Sequence, residues 1–282
     1  MDSRTGKSIA RGRLFDADSG NTIVVAASHG VLRGPLPGLA TPAEIDATLA
    51  ALTAADAIMM SPGMLPRFED HVIGRHNPEL VIEVDWKNSG RGIYEPAGSQ
   101  VTSAQLASIE ACAAAGAVAV MTFLYVGQDD VALERAEIER NAQLVAACER
   151  AGILCIIEPR SAQERVDPQL ANSERVVAWY CRLAAELGAD AVKCVWPGSA
   201  DVFAAACAGS SAPVLLAGGA DGGSLADTLS LFEDALTAGA RGVMAGRRVY
   251  TGGSPSASLA AIRALVHSRA SVEDALAQAG LA

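Results

Sequence analysis

Hydrophobic residues along the chain form short continuous runs, and longer amphipathic stretches separate them. Eight of the runs have the length of buried strands and are bounded by glycine, proline or small polar residues. These eight predicted strands begin at or near Asn21, Asp56, Leu80, Ala117, Ile153, Ala191, Pro213 and Gly242. Strands that are apolar at every position are typical of parallel sheets covered on both faces. The pattern therefore predicts a parallel sheet with helices on its surfaces.

Helical signals lie between most of these strands. Thr41 is a predicted N-cap, with Pro42 in the first turn and Glu44 three residues after the cap. A long amphipathic helix is predicted from Asp129 to a glycine stop at Gly152. The other predicted helices cover about residues 103–116, 172–187, 200–208, 224–238 and 256–267.

Eight strands that mostly alternate with helices within about 250 residues are typical of a (β/α)8 barrel, the TIM barrel. The alternative, an open doubly wound sheet, predicts a G-x-G-x-x-G turn after the first strand. The chain instead reads S-H-G-V-L-R-G there. We therefore predict a single-domain α/β protein. The barrel occupies residues 21–270, after an irregular segment at 1–20 and before a helical tail at 271–282.

A lysine interrupts the sixth apolar run. Lys193 lies in the middle of A-V-K-C-V, and a buried charge is costly unless it is paired or neutralised. Desolvation lowers the pKa of a buried amine, and a neutral amine is a nucleophile towards carbonyl carbons. The position therefore indicates a Schiff-base lysine. An edge-strand lysine with its ammonium group in solvent is the alternative, and the run alone does not distinguish the two.

The active site of such a barrel lies at the C-terminal ends of the strands. The candidate residues at these ends are Ser28, His29, Asp85, Glu158, Lys193, Trp196, Gly218, Gly219, Gly246 and Arg247. The loops after strands seven and eight commonly bind phosphate through backbone N–H groups, which glycine allows to approach the anion closely. Arg247 can add a bidentate contact. We predict a phosphate site in these two loops, with ligand-free tight turns as the alternative.

The carboxylates and the first strand end supply candidates for proton transfer. Glu158 ends the strand before that of Lys193, where it can shuttle protons between a carbinolamine, a substrate hydroxyl and water, or only neutralise the lysine. Asp85 is a candidate second acid or a ligand for sugar hydroxyls. Ser28 and His29 are candidate catalytic residues, although a lone histidine is more often a hydrogen-bonded structural residue.

The net charge and the cysteine pattern limit the kinds of partner and the cellular compartment expected for this protein. The formal net charge is −10 and the pI is about 4.9, which argues against nucleic acid or an anionic membrane as a partner. The six cysteines form no C-x-x-C pair, and no signal-peptide pattern or membrane-length apolar run occurs, so we predict a cytoplasmic protein. No H-x-H, H-E-x-x-H or D-x-D-x-D pattern occurs, so we predict neither a metal nor a cofactor.

Four segments together resemble one enzyme family. They are S-H-G-V-L-R-G-P-L-P-G-L, A-E-L-G-A-D-A-V-K-C-V-W-P-G, A-P-V-L-L-A-G-G and A-G-A-R-G-V-M-A-G-R-R-V-Y. From about Asn21 to Val266 the chain resembles the archaeal-type class I fructose-bisphosphate aldolases of the deoxyribose-phosphate aldolase superfamily. Autoinducer-2 phosphate thiolases and aminodideoxy-heptulosonate synthases are relatives in that superfamily. The resemblance implies a metal-independent TIM barrel that forms homo-oligomers, often decamers.

The resemblance also assigns roles by position. Lys193 matches the Schiff-base lysine of the family. The phosphate-binding positions are matched by Gly218, Gly219, Gly246 and Arg247.

Three positions depart from the pattern of the relatives. They usually have D-H-G after the first strand, where this chain has Ser28-His29-Gly30. They often have Y-P-R-G after the fifth strand, with the tyrosine as proton donor, where this chain has Glu158. A glutamate there resembles the tagatose-bisphosphate aldolase branch and keeps an acid–base role available. Many relatives have tyrosine in place of Trp196, which implies a different pocket.

We therefore predict a lyase of carbohydrate metabolism, a class I aldolase that makes or breaks a carbon–carbon bond in a phosphorylated ketose. One alternative is a thiolase or synthase of the same fold that acts on a keto-phosphate through a lysine imine. The other is a barrel that binds sugar phosphates without catalysis. Borohydride trapping distinguishes the last from the others, because binding alone requires no imine.

Overall fold

The computed structural model describes residues 3–91, 100–219 and 223–281, and its core is a closed barrel of parallel strands. The strands of the described residues are β1 (Thr22–Ala26), β2 (Ala57–Met60), β3 (Glu79–Glu83), β4 (Asp85–Lys87), β5 (Ser103–Gln105), β6 (Ala119–Val126), β7 (Leu154–Ser161), β8 (Ala191–Val195), β9 (Val214–Ala217) and β10 (Gly242–Ala245). Around the barrel the order is β1-β10-β9-β8-β7-β6-β3-β2. The eight-stranded (β/α)8 barrel predicted from the sequence is confirmed.

Helices surround the barrel and cover its outer face. They are α1 (Ser3–Leu14), α2 (Gly30–Arg33), α3 (Pro42–Ala50), α4 (Leu65–Phe68), α5 (Ile109–Ala114), α6 (Val131–Ala151), α7 (Pro168–Ala171), α8 (Glu174–Glu186), α9 (Ala200–Gly209), α10 (Leu225–Thr237), α11 (Arg247–Tyr250), α12 (Pro255–Ser268) and α13 (Val272–Gln278), with a 3-10 turn at Glu69–His71. In the described part of the chain, no helix is both long and apolar enough to cross a membrane.

Both faces of the barrel strands are buried, which explains the continuous apolar runs. Successive side chains of a strand point to opposite faces. In β1, Val24 and Ala26 belong to the apolar cluster inside the barrel, whereas Ile23 and Val25 pack in the layer between barrel and helices. A polar side chain with the parity of the interior positions therefore lies inside the barrel or at its mouth.

The N-terminal segment, predicted to be irregular, contains the helix α1. Its Leu14 is fully buried and joins the cluster inside the barrel. Lys7 pairs with Asp190 at 2.9 Å, just before β8, and Arg13 pairs with Glu79 at 2.7 Å, at the start of β3. The helix therefore closes the N-terminal end of the barrel. The prediction failed because this helix has few apolar residues and depends on these tertiary contacts.

The helix predicted to begin at Ser103 is also corrected. Residues Ser103–Gln105 form β5, which pairs antiparallel with β4, and the helix begins only after the cap at Ser108. The segment that follows β3 is thus partly a hairpin, and residues 92–99 lie outside the described residues. At the C-terminus, the helical tail is present as α13, and its Ala275 is fully buried.

Candidate active site

A cavity of about 520 Å³ opens at the C-terminal ends of the barrel strands. The predicted site residues that line it are Ser28, His29, Glu158, Lys193, Trp196, Gly218, Gly219, Gly246 and Arg247. The barrel closes with β1 beside β10, so the first and last loops of the chain meet at one mouth. Further lining residues that the sequence did not single out include Glu83 and Arg33.

Lys193 and Glu158 form a buried ion pair at this mouth. They come from the adjacent parallel strands β8 and β7, and Lys193 Nζ lies 2.7 Å from Glu158 Oε2. Arg160 Nη1 lies 3.1 Å from Glu158 Oε1. Since β8 lies between β7 and β9 and only 9% of Lys193 is exposed, the edge-strand alternative for this lysine is wrong.

The surrounding cations hold Glu158 in its charged form. Burial by itself opposes ionisation, but the charges of Lys193, Arg160 and Lys87 outweigh it and lower the pKa of Glu158 to about 2. At neutral pH this carboxyl group is therefore a carboxylate that accepts contacts from both of its cationic neighbours. A group that stays charged at every ordinary pH is better suited to positioning Lys193 than to carrying protons.

Glu83 is a second buried carboxyl group at the cavity, and it is not among the site residues predicted from the sequence. It ends β3, is 3% exposed, and accepts a hydrogen bond from the Ser28 hydroxyl at Oε2. Burial raises the pKa of Glu83 to about 7, although the Ser28 hydrogen bond and the charge of Lys193 act in the other direction. A signal was available, since Glu83 interrupts an apolar run just as Lys193 does.

Lys87 brings a second buried amine to the cavity. Its Nζ donates a hydrogen bond to the Tyr125 hydroxyl at 2.8 Å and lies 3.6 Å from the centre of the Phe123 ring. Burial lowers the pKa of Lys87 to about 8; Glu158 opposes this shift and Arg160 adds to it. Lys87 was not predicted as a site residue, because its place depends on the β4–β5 hairpin.

The two glycine loops lie side by side with Arg247, as predicted. Arg247 Nη2 donates to the Gly219 carbonyl at 3.1 Å. Gly246 leaves no room for a side chain, because a Cβ there would lie 2.5 Å from His29 Cε1 and closer still to the Ala26 carbonyl oxygen. The turn at Gly219 has a φ of +71°, which favours glycine. Glycine is therefore required at Gly246 by close packing and favoured at Gly219 by the backbone conformation.

His29 joins the first loop to this end of the cavity. Its Nδ1 lies 3.1 Å from the Tyr250 hydroxyl. Burial, helped by the charges of Lys193, Arg247 and Arg33, lowers the pKa of His29 to about 3. The imidazole is therefore neutral at pH 7 and acts as a hydrogen-bonding group there. Trp196 lies at the cavity rim, with its ring 5.5 Å from that of Phe203.

Asp85 is not part of the cavity lining, which corrects its predicted role as a second acid or sugar ligand. Its Oδ2 accepts hydrogen bonds from the Thr122 hydroxyl at 2.6 Å and from the Phe123 N–H at 2.7 Å, and Arg140 Nη1 lies 3.0 Å from Oδ1. The chain leaves the barrel strand after Glu83 and enters the hairpin, so the alternation of faces in β3 does not extend to Asp85.

The cavity is cationic although the chain is acidic. Six basic side chains line it: Arg33, Lys87, Arg160, Arg165, Lys193 and Arg247. Among the described residues, only three carboxyl groups do so: Glu83, Glu158 and Glu164. Because the net charge of the chain is −10, this local excess marks the cavity as a place for an anionic ligand. It is the local cationic site that a phosphorylated substrate would require.

Comparison with known proteins identifies the family. The model of the DeoC/LacD family aldolases matches residues 22–252, which is most of the chain and includes all eight barrel strands. The chain belongs to this aldolase family. It is 32% identical over 279 residues to the 2-amino-3,7-dideoxy-D-threo-hept-6-ulosonate synthase of Halobacterium salinarum, covering 98% of this chain and 97% of that protein. It is 30% identical over 271 residues to an uncharacterised aldolase of Saccharolobus solfataricus, covering 96% of this chain and 98% of that protein.

Solved structures of aldolases share the fold. A Schiff-base-forming fructose-1,6-bisphosphate aldolase is 26% identical, with a TM-score of 0.75, and the match covers 92% of this chain and 99% of that one. An archaeal fructose-1,6-bisphosphate aldolase, with its catalytic lysine covalently bound to the carbinolamine intermediate of the substrate, is 25% identical, with a TM-score of 0.77 and coverage of 93% and 99%. The predicted resemblance to class I aldolases is confirmed.

Proposed function

We propose that this aldolase acts on a phosphorylated ketose or keto-phosphate through a Schiff base on Lys193. The observation that carries the proposal is the buried Lys193–Glu158 pair, with its 2.7 Å contact, at the mouth of a cationic cavity. Such a lysine is unusual inside a barrel, because a buried amine needs a charged or hydrogen-bonding partner there. The solved aldolase with a carbinolamine on its catalytic lysine supports the same chemistry for Lys193.

In the proposed mechanism the Lys193 amine attacks the substrate ketone and forms a carbinolamine, which loses water to give an iminium ion. The iminium accepts the electron pair of the breaking carbon–carbon bond, which produces an aldehyde and an enamine. Protonation of the enamine and hydrolysis release the ketone. Glu158 holds the lysine in place through their ion pair, and Arg160 fixes Glu158 from its other oxygen.

We assign the substrate phosphate to the loops that contain Gly218, Gly219 and Gly246, beside Arg247. These three glycines line the cavity, and Arg247 donates a hydrogen bond to the Gly219 carbonyl oxygen at 3.1 Å. A guanidinium group together with backbone N–H groups is a typical phosphate site at this end of a barrel. His29 adds a neutral hydrogen-bonding ring beside the same loops.

The aldolase is a lyase that, in this proposal, needs neither a metal nor another cofactor, because the iminium ion is the electron sink. Chelator treatment should leave its activity unchanged. Activity that is abolished by a chelator and restored by zinc would contradict the proposed chemistry. The second candidate function is a synthase that uses the same imine. It is supported by the 32% identity to the heptulosonate synthase over nearly the whole chain.

Borohydride reduction tests the proposal. The protein is incubated with a panel of ketose phosphates and with dihydroxyacetone phosphate, then reduced, digested and analysed by mass spectrometry. We expect the added mass on the peptide that contains Lys193, and none after Lys193→Arg. The matched variant Lys87→Arg changes the other buried lysine and should retain the label. A label on Lys87, or no label with any member of the panel, would overturn the proposal.

We also propose that the protein is a cytoplasmic homo-oligomer, with a decamer as the form implied by the resemblance. Three apolar side chains near α7 and α8 support self-association, since Val166, Leu170 and Trp179 are 63%, 52% and 47% exposed. Light scattering coupled to size-exclusion chromatography should give a mass several times that of one chain. A monomer over the whole concentration range would contradict this.

A further inference from the structure

Among the described carboxyl groups that line the cavity, Glu83 is the one that forms no ion pair. Its Oε2 accepts a hydrogen bond from the Ser28 hydroxyl, whereas its Oε1 is buried and has no hydrogen-bond partner in the part of the chain that the structure describes. Leaving a buried carboxyl oxygen without a partner is costly for a group whose only role is structural. Because Glu83 lines the cavity, a substrate hydroxyl is a suitable partner for Oε1.

The two neighbouring carboxyl groups are already occupied by cations. Glu158 contacts Lys193 and Arg160, and Glu164 lies 2.5 Å from Arg160 Nη2. Among the described residues, Glu83 forms no ion pair. The charges of Lys193, Lys87 and Glu158 influence its pKa from a distance. A general acid–base group must gain and lose its proton during turnover, which a carboxylate clamped between two cations does poorly.

We propose that Glu83, oriented by Ser28, is the group that exchanges a proton with the bound substrate. This inference rests on the proposed Schiff-base function and assigns one of its steps. Glu83 takes the proton of the substrate hydroxyl as the carbon–carbon bond breaks. The O–H electron pair completes the aldehyde carbonyl, the carbon–carbon pair forms the enamine double bond, and the iminium π pair returns to the Lys193 nitrogen. Protonated Glu83 then delivers its proton to the enamine carbon, which restores the carboxylate.

The electrostatic surroundings of Glu83 suit a proton carrier near neutral pH. Burial is the largest influence and raises the pKa of Glu83 to about 7. The negative charge of Glu158 also raises this pKa, whereas the Ser28 hydrogen bond and the charges of Lys193 and Lys87 lower it. At pH 7 both forms of the side chain are then populated. An acid–base group works best when its pKa is close to the working pH. Ser28 acts on this pKa through Glu83, so it is a positioning residue.

The first test is Glu83→Gln, which keeps the size of the side chain and an oxygen that accepts the Ser28 hydrogen bond. The variant is assayed with the keto-phosphate that labels Lys193 in the native protein. We expect kcat to fall by about 10²- to 10⁴-fold, the usual share of general acid–base catalysis. Trapping at Lys193 should still go to completion. Glu79→Gln is the matched control, since Glu79 lies at the opposite end of the same strand and pairs with Arg13.

The second readout is the pH profile of kcat/KM. In the native enzyme we expect activity to be lost below a midpoint near pH 7, because Glu83 must be ionised to accept the proton. This limb should disappear in Glu83→Gln, while any limb that belongs to the substrate phosphate persists. In Ser28→Ala the midpoint should move to higher pH, because the hydrogen bond that favours the carboxylate is lost, and Ser28→Thr should restore it.

The possible results distinguish failure of the Schiff-base function from failure of the role assigned to Glu83. Absence of trapping in the native protein with every ketose phosphate overturns the Schiff-base function and this inference with it. Trapping at Lys193 with a kcat of Glu83→Gln equal to that of Glu79→Gln overturns the role of Glu83 and leaves the Schiff-base function intact. An acid limb of the kcat/KM profile that is unchanged in Glu83→Gln also overturns the role of Glu83. If Glu83→Gln does not fold, Glu83→Asp is measured in its place. We expect Glu83→Asp to shift the acid limb of the kcat/KM profile, and an unshifted limb overturns the inference.

Discussion

The substitution Glu158→Gln distinguishes an ion-pair role for Glu158 from proton transfer. Glu158 is 4% exposed and lies between Lys193 Nζ at 2.7 Å and Arg160 Nη1 at 3.1 Å. Glutamine keeps the shape of the side chain but removes the charge that both cations face. The variant therefore leaves the buried Lys193 facing a neutral group, which is the costly way to break an ion pair, whereas Arg160 keeps its contact with Glu164.

The magnitude follows from the burial of the pair. Removing one partner of a buried ion pair costs about 3–5 kcal/mol, and roughly 2–4 °C of melting temperature is lost per kcal/mol in a large domain, so we expect a drop on the order of 6–20 °C. The pKa of Glu158 is lowered to about 2 in the folded protein, below its ordinary value of 4.5. The stabilisation is thus complete above about pH 4.5 and is lost as the pH falls towards 2. The difference between native protein and variant should narrow over that interval.

The matched control is Glu149→Gln. Glu149 is half exposed and lies 2.6 Å from Lys7, so its loss should cost roughly 0–1 kcal/mol. Stability is measured by denaturant titration from pH 2.5 to 8, and trapping rates are measured on the same samples. In the ion-pair role, trapping at Lys193 holds or accelerates at neutral pH, because a neutral neighbour favours the free amine. Equal stability of the two variants, or slowed trapping with a 10²- to 10⁴-fold loss of kcat, would refute this reasoning.

Three further changes test other parts of the structure. Arg247→Ala should weaken binding of phosphorylated ligands by about 1.5–3 kcal/mol, or roughly ten- to a hundred-fold, as measured by calorimetry, and equal losses for unphosphorylated analogues would contradict a phosphate contact. Gly246→Ala should lower both the melting temperature and phosphate affinity, because its Cβ would collide with Ala26 and His29; an unchanged variant would show that this close approach is not required. Leu14→Ala should cost about 2–5 kcal/mol of unfolding free energy, since this side chain is fully buried inside the N-terminal end of the barrel; a loss below 1 kcal/mol would argue against α1 as its closure.

The sequence determined the barrel and the place of Lys193, the lysine proposed to form the Schiff base. Continuous apolar runs report strands buried on both faces, and helical signals between them leave few topologies, because parallel strands need crossover connections. Lys193 was recognisable because a charge inside an apolar run contradicts its surroundings. The glycine loops were recognisable because their chain positions fix their place at the mouth of a barrel.

Only the tertiary structure decided which polar groups are in contact and which of them are charged. Asp85 and Glu83 are two residues apart, yet one packs against Arg140 and the other faces the cavity, because the chain departs from the barrel between them. The clamping of Glu158 depends on Arg160 and Lys193, which its own strand position does not reveal. The helix α1 is held by contacts with segments far along the chain. Sequence periodicity reports which face of an element is buried, whereas charge states depend on neighbours that only folding brings together.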